Sequence, residues 1–302
     1  MKYLYNIKIY LAFLALCSCI VIDSKAQKVI EIEPLFEYPV APEELESIVD
    51  KSEYLVQHFW DQLDFKSTAP LNQIALNDAF RVFVTPLRFA PEKVSMKALE
   101  NIINNISNNP TLLVQFIKAA EEALYGPRAE VWSDELYLRF LDAGIKSKKV
   151  TNSRKEKYKT RAELLRSNSV GGAPPTFSFT DADDKQEKYF PMSTLTVIIF
   201  GDPEDTDWRL SRLKFDTNSE LTQALEKGKI NIIYIVAKEG RDWKDAVSNY
   251  SKYWKTGISD EIWSKYDIRA IPSAYLIGSD GKIVMKNTPV GSALRNALEL
   301  VK

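Results

Sequence analysis

The chain carries two different hydrophobic periods. Between residues 43 and 145, apolar side chains recur at spacings of three and four, which is typical of amphipathic helices. Beyond the middle of the chain the period shortens to two, because Phe177 and Phe179 alternate with polar residues. Residues 195–200 then form a continuous apolar run, as expected of a strand buried on both faces. The pattern therefore predicts a helical region followed by a sheet.

The predicted helices have recognisable ends. Glu43 begins the first periodic segment, and Pro91 starts another, at a position where its missing N–H costs nothing. Asn77 and Ser133 are predicted N-caps, because their side chains can accept hydrogen bonds from a first helical turn. Residues 146–166 are basic and polar, which indicates a solvated helix or a basic surface for a partner. The absence of aromatic interleaving suited to base stacking favours the solvated helix.

The second region is predicted to alternate strands and helices. Residues 171–175 contain two glycines and two prolines and are the clearest signal of a linker, predicted at 167–175. The pattern after the linker predicts a hairpin at 177–190, buried strands at 195–200 and 230–236, a helix at 260–266, a second hairpin at 273–285 and a closing helix at 290–301. Between the two buried strands, Leu210, Leu213, Leu221 and Leu225 mark helical segments that end at Gly228. The predicted fold class is α+β, with an all-α N-terminal domain and an α/β C-terminal domain.

The N-terminus has the composition of an export signal. Basic residues precede an almost wholly apolar run at 9–22, and small residues precede a cleavage point after Ala26. Residues 1–26 are therefore a predicted signal peptide, with no transmembrane segment in the mature chain. The alternative is lipoprotein processing, which would leave Cys19 as a lipid-anchored N-terminus. Both routes predict export, either to the periplasm or to a membrane-anchored position.

Length and charge limit the function classes. A chain of 302 residues suggests two domains, and a net charge of −1 argues against nucleic acid as a partner. The predicted divisions are a signal peptide at 1–26, an extended leader at 27–42, a helical domain at 43–166, a linker at 167–175 and a second domain at 176–302.

The chain has few residues that carry redox or metal chemistry. Cys17 and Cys19 are its only cysteines, and both lie in the predicted signal peptide. His58 is its only histidine, so a site with several histidine ligands cannot form, and its place beside Phe59 and Trp60 argues against a catalytic base. We expect His58 to be packed on its helix. No cofactor and no metal site are predicted.

Residues 170–302 resemble a thioredoxin-like domain of the bacterial envelope type. The resemblance rests on the Asp202-Pro203 turn after a buried strand, on the Ile271-Pro272 step before another strand, and on the spacing between them. Members of this kind usually carry Cys-x-x-Cys in the turn, and alignment places Asp205 and Trp208 at the two cysteine positions. The resemblance also implies a cis bond before Pro272. A carboxylate and an indole cannot exchange disulfides, because exchange needs a thiolate.

Residues 43–166 resemble the helical domain of the DUF5106 family, whose function is uncharacterised and which precedes a thioredoxin-like domain in exported bacterial proteins. The resemblance rests on the run Tyr54-Leu-Val-Gln-His-Phe-Trp60 followed by Asp64-Phe65. Together the two resemblances cover nearly all of the predicted mature chain.

The turn that contains Asp202, Glu204, Asp205 and Asp207 is called the acidic turn below, and three interpretations of it remain open. Its carboxylates cap a helix in a solvated turn, or they bind a cation, although the ligand spacing of an EF-hand is missing. In the third interpretation, Trp208 and the strand edge beside Pro272 bind an extended peptide by backbone pairing. Trp208 is itself more typical of a core residue. The candidate site, a degenerate thioredoxin site, consists of Asp205, Thr206, Asp207, Trp208, Ile271 and Pro272.

The sequence thus predicts a protein without thiol-exchange activity. The first hypothesis is a non-enzymatic module that binds a protein or peptide, or acts as a scaffold, in the bacterial envelope. The second is an enzyme whose site, built without thiols, lies in the cleft between the two domains.

Overall fold

The structure is a computed structural model that describes residues 33–67, 69–237 and 242–302. The predicted signal peptide and both cysteines lie outside these ranges. Within the described ranges, the helices are too short or too polar to cross a lipid bilayer.

Residues 48–167, called the helical region below, pack helices around one apolar core. The elements are α1 (Ile48–His58), α2 (Gln73–Val84), a 3₁₀ turn (Pro86–Arg88), α3 (Glu92–Ile106), α4 (Pro110–Leu124), α5 (Asp134–Lys146) and α6 (Asn152–Ser167). The core is rich in aromatic rings, and Phe80, Phe116 and Phe140 are completely buried. Each helix contributes one apolar face, as the spacing of three and four predicts.

Two helix starts differ from the prediction and one agrees with it. The first helix begins at Ile48 rather than Glu43, because the Ser47 hydroxyl accepts a hydrogen bond from the first turn. The second begins at Gln73, where the Asn72 side chain accepts bonds from two backbone N–H groups of the first turn. Asn77 is therefore not an N-cap, since a better-placed cap precedes it by a turn. Ser133 caps α5 as predicted.

Residues 177–300, called the sheet region, form one mixed sheet with helices on it. Its strands are β1 (Phe177–Asp181), β2 (Gln186–Tyr189), β3 (Leu195–Gly201), β4 (Ile230–Val236), β5 (Trp254–Ile258), β6 (Ser273–Ile277) and β7 (Ile283–Thr288). Its helices are α7 (Thr206–Asp216), α8 (Ser219–Glu226), α9 (Trp243–Val247), α10 (Ile262–Lys265) and α11 (Val290–Leu300). The strand order is β2-β1-β5-β4-β3-β6-β7, in which β3, β4 and β5 are parallel and the others join antiparallel.

The central strand β3 divides two apolar clusters. Val197 and Ile199 face the cluster covered by α8 and α11, whereas Ile198 and Phe200 face the cluster that includes α10. Every residue of β3 is buried, as the continuous apolar run predicts. The sheet is thus covered on both faces.

The sequence interpretation did not include β5 and α9. In β5, Gly257 interrupts the apolar pattern, and a Cβ atom there would lie 2.5 Å from the carbonyl oxygen of Thr180 on β1. The glycine is therefore needed for close approach of two backbones rather than for a turn. The helix expected at 260–266 is also shorter and spans only Ile262–Lys265.

Candidate functional site

The strand register brings the two parts of the candidate site together. Phe200 at the end of β3 pairs with Ser273 at the start of β6. The acidic turn that follows β3 therefore lies beside the Ile271–Pro272 step that precedes β6. The Ile271–Pro272 peptide bond is cis, as the sequence resemblance implies.

Asp205 is the N-cap of α7. Its side chain accepts a 2.7 Å hydrogen bond from the backbone N–H of Trp208, and its own backbone is extended. The neighbouring Asp202 carboxylate accepts a 3.0 Å hydrogen bond from the N–H of Glu204. A carboxylate at this position satisfies an N–H that the helix leaves unpaired and interacts favourably with the helix dipole. The first cysteine position of the resembling family is thus a capping position here.

Trp208 at the second cysteine position is a core residue. Its side chain is 1% exposed and stacks on the ring of Tyr234, with ring centroids 5.3 Å apart and planes inclined by 13°. Its indole N–H donates a 2.8 Å hydrogen bond to the Tyr250 hydroxyl. The surface of the Trp208 side chain is therefore covered by its neighbours, which agrees with the core role that the sequence favours.

A phenol fills the space beneath the turn. A Cβ atom built on Gly201 would lie 2.6 Å from the Tyr234 hydroxyl oxygen, so the backbone and the phenol are in close contact. Burial raises the pKa of Tyr234 above its ordinary value, and the carboxylates of Asp202 and Asp205 raise it further. The phenol therefore stays neutral and cannot act as a base near neutral pH.

The rest of α7 is fastened by Arg212. Its guanidinium is buried, pairs with Asp216 and donates hydrogen bonds of 3.3 and 3.2 Å to the backbone and side chain of Asn249. It also lies over the Tyr250 ring, 4.4 Å from the centroid. Burial raises the pKa of Asp216, and the neighbouring Arg212 opposes that rise. The helix after the acidic turn is thus held by polar contacts on its inner side.

The remaining candidate residues are at the surface. Thr206 and Asp207 are exposed in the first turn of α7, and Ile271 and Pro272 are exposed in the loop before β6. Ile271 is 38% exposed, so the loop presents an apolar side chain at the surface. The structure therefore leaves an acidic and apolar rim around a closed core.

A buried ionic cluster beside this loop had not been predicted. Asp267 is completely buried, and its carboxylate accepts hydrogen bonds from Arg269 at 2.8 Å, from Lys286 at 3.2 Å and from the Tyr125 hydroxyl at 2.8 Å. Burial opposes ionisation of Asp267, but Arg269 and then Lys286 hold the pKa of this carboxyl below its ordinary value. Asp267 is therefore a carboxylate at neutral pH.

The same cluster joins the helical region to the sheet region. Asp134 on α5 forms ion pairs with Arg269 and Lys286. The Tyr125 ring lies between two guanidinium groups, with Arg269 at 4.4 Å and Arg161 at 4.5 Å from its centroid. Nothing in the sequence pattern indicates the contacts of Asp134 and Tyr125 with the sheet region, because the residues that meet are more than one hundred positions apart.

Other sequence candidates lie away from this site. His58 is not packed as predicted: its ring is exposed at the end of α1, against Tyr54, and its Nδ1 is 2.8 Å from a carboxylate oxygen of Asp61. Four surface cavities, with volumes of about 250 to 480 Å³, are lined by residues of the helical region or of the segment before it. Within the described ranges, no three acidic, histidine or cysteine side chains are grouped to hold a metal ion.

Comparison with known proteins agrees with this division of the chain. Residues 21–168 match the family model of a domain of unknown function, DUF5106. The chain carries a DUF5106 domain. The helices of the helical region therefore belong to the DUF5106 domain, and no curated protein matches the chain.

The whole arrangement also occurs in a solved structure. A thioredoxin-like protein from Bacteroides caccae superposes with a TM-score of 0.70 at 21% identity, covering 89% of this chain and 99% of that one. The thioredoxin domain of a thiol-disulfide oxidoreductase from Bacteroides vulgatus matches 44% of this chain and 99% of its own, at 18% identity and a TM-score of 0.39. The family model and the first of these structures together show a DUF5106 domain followed by a thioredoxin-like fold.

Proposed function

We propose that this protein is a non-catalytic thioredoxin-like protein of the bacterial envelope that binds a protein or peptide partner. The observation that carries the proposal is the role of the two residues that align with the cysteines of the resembling family. Asp205 is committed to capping α7, and Trp208 is committed to the core. Disulfide exchange needs a thiolate as nucleophile and a second thiol to resolve the mixed disulfide. The chain has no cysteine after Cys19, so neither thiol is available near this site.

The surface best suited to a partner is the loop before β6. Ala270, Ile271 and Pro272 are exposed, and the backbone groups of Ala270 and Ile271 form no hydrogen bond with another described residue. An extended peptide laid against this loop would gain backbone hydrogen bonds and contact the Ile271 side chain. This supports a peptide or an extended protein segment as the partner.

The test is capture of a partner from envelope extract by three forms of the full chain. Ile271→Asp places a charge on the proposed surface, whereas Leu300→Asp places the same charge on a side chain that is 60% exposed at the end of α11. We expect the wild type and Leu300→Asp to recover the same partner, and Ile271→Asp to lose it. Equal recovery by all three forms would refute the proposed surface. Reduction of insulin by the wild-type protein would refute the loss of thiol chemistry.

The alternative of an enzyme in the cleft between the two domains gains no support from a specific observation. The charged groups between the regions are paired with one another, and the four cavities described above are lined by no residue of the sheet region. An active site needs groups that are free to act on a substrate.

A further inference from the structure

The contact between the helical and sheet regions is charged rather than apolar. The apolar cluster of the helical region ends with Leu165, and the two clusters of the sheet region begin with Phe177 and Leu195. No buried residue is shared among these clusters. Contact across the boundary is made by hydrogen bonds, ion pairs and stacked cations instead. Each region therefore has its own core, and polar chemistry determines how the two meet.

These polar contacts converge on the loop that carries the proposed binding surface. Asp134 pairs with Arg269, and the Tyr125 hydroxyl bonds to Asp267, so the DUF5106 domain holds both charged residues at the start of the loop. From the sheet side, Asn287 accepts a 3.0 Å bond from the Arg269 N–H, and Tyr275 donates a 2.8 Å bond to the Asp267 carbonyl. The start of the loop is fixed from two sides, while its end, Ile271 and Pro272, stays exposed.

Asp134 is needed to balance the charges of the buried cluster. Arg269 and Lys286 carry two positive charges, and Asp267 and Asp134 carry two negative ones. Removing Asp134 would leave two buried cations against one carboxylate, which is a costly state. A buried ionic cluster contributes little more to stability than apolar packing would. It allows few side-chain arrangements, however, because each buried charge must keep a partner of opposite charge. The cluster thus specifies one geometry of the loop.

We propose that the DUF5106 domain sets the conformation of residues 267–272, so that its docking and ligand binding at Ile271 are thermodynamically linked. The ligand half of this statement rests on the proposed function. Linkage is reciprocal, so a ligand that prefers the fixed loop would also tighten the docking of the DUF5106 domain. The helical domain then acts as a positioning element for the binding loop.

The test measures amide hydrogen exchange in full-length variants without any ligand. Asp134→Ala removes the ion pairs of Asp134 with Arg269 and Lys286 across the boundary. Asp142→Ala is the matched control, because it removes a carboxylate of the same helix whose 2.6 Å partner, Arg166, lies within the DUF5106 domain. We expect exchange in residues 266–271 to rise about tenfold or more in Asp134→Ala, with strand β4 unchanged and the control like the wild type. If residues 266–271 of the Asp134→Ala variant exchange at the same rate as in the wild type, the proposal is overturned.

A milder variant covers the case in which Asp134→Ala unfolds. Tyr125→Phe keeps the ring between its two guanidinium groups and removes only the hydroxyl that bonds to Asp267. Faster exchange in residues 266–271 with β4 protected would support the proposal, and unchanged exchange would overturn it. Because no ligand is present, this result is independent of partner capture. If exchange rises but Ile271→Asp still captures the partner, the proposed function fails while the positioning role stands.

Discussion

The indole N–H of Trp208 donates to the hydroxyl of Tyr250, across 2.8 Å and 42 positions of sequence. This bond fixes the position where the resembling family has its second cysteine to the segment after α9. Trp208 also stacks on Tyr234 and lies 6.4 Å, between ring centroids, from Trp254 on β5. The residue at this position is part of an aromatic core.

Truncation of this tryptophan should be among the most damaging changes in the sheet region. We expect Trp208→Ala to lower the free energy of unfolding by about 3–5 kcal/mol, since it leaves a large cavity. Trp263→Ala is the control, because Trp263 is 50% exposed and its loss should cost about 0.5 kcal/mol or less. Urea unfolding followed by circular dichroism measures both. Equal effects of the two changes would contradict the core role of Trp208.

Asp205 should matter as a helix cap. Asp205→Ala should lower the free energy of unfolding by about 0.5–2 kcal/mol, because the Trp208 N–H loses its acceptor. Asp205→Asn keeps a capping oxygen and should stay close to the wild type. Thermal unfolding of the two variants is the measurement. A stable Asp205→Ala would show that water replaces the cap without cost.

A thiol introduced at position 205 should be unusually reactive. In a background with Cys17 and Cys19 replaced by serine, Asp205→Cys places a sulfur at the N-terminus of α7, where the helix dipole stabilises a thiolate. Its pKa should fall below that of a cysteine introduced by Leu300→Cys at the last residue of α11. The pH dependence of alkylation by iodoacetamide gives both pKa values. Identical profiles would mean that the site geometry of a thioredoxin is not retained.

Acid should weaken the protein partly through Asp267. The pKa of its carboxyl is lower in the folded protein than its ordinary value of 3.8, so the folded state favours the ionised form. The stabilisation is therefore present above that ordinary value and is lost as the pH falls through the lower, folded-state pKa. We expect the free energy of unfolding to fall less steeply with acid in Asp267→Asn than in the wild type below about pH 4. Asp142→Asn should keep the wild-type slope.

The fold was largely predictable because its signals are local. Strand β4 has the predicted bounds, Ile230–Val236, since an unbroken apolar run identifies a strand buried on both faces. Strand β5 was not predictable, because Gly257 interrupts its apolar pattern. The glycine is required by the close approach of the β1 backbone at Thr180, which the residues next to Gly257 do not reveal. The prediction of Asn77 as a cap failed for a similar reason: two suitable asparagines compete, and only packing decides between them.

The candidate site was predictable only in part. Asp205 and the Ile271–Pro272 step could be placed from spacing and resemblance, and their proximity follows from the pairing of β3 with β6. The burial of Trp208 depends on Tyr234 and Tyr250, which come from two other elements. The cluster around Asp267 depends on residues of α5 and β7 that no local pattern connects. Contacts between distant charges are set by the tertiary fold.

A carboxylate, rather than a pair of sulfurs, closes the turn at the start of α7. Its contact with the Trp208 N–H involves no bond that gains or loses electrons. We therefore expect the turn to have the same shape under reducing and oxidising conditions, so that the surface around it keeps one form whatever the redox potential of its surroundings.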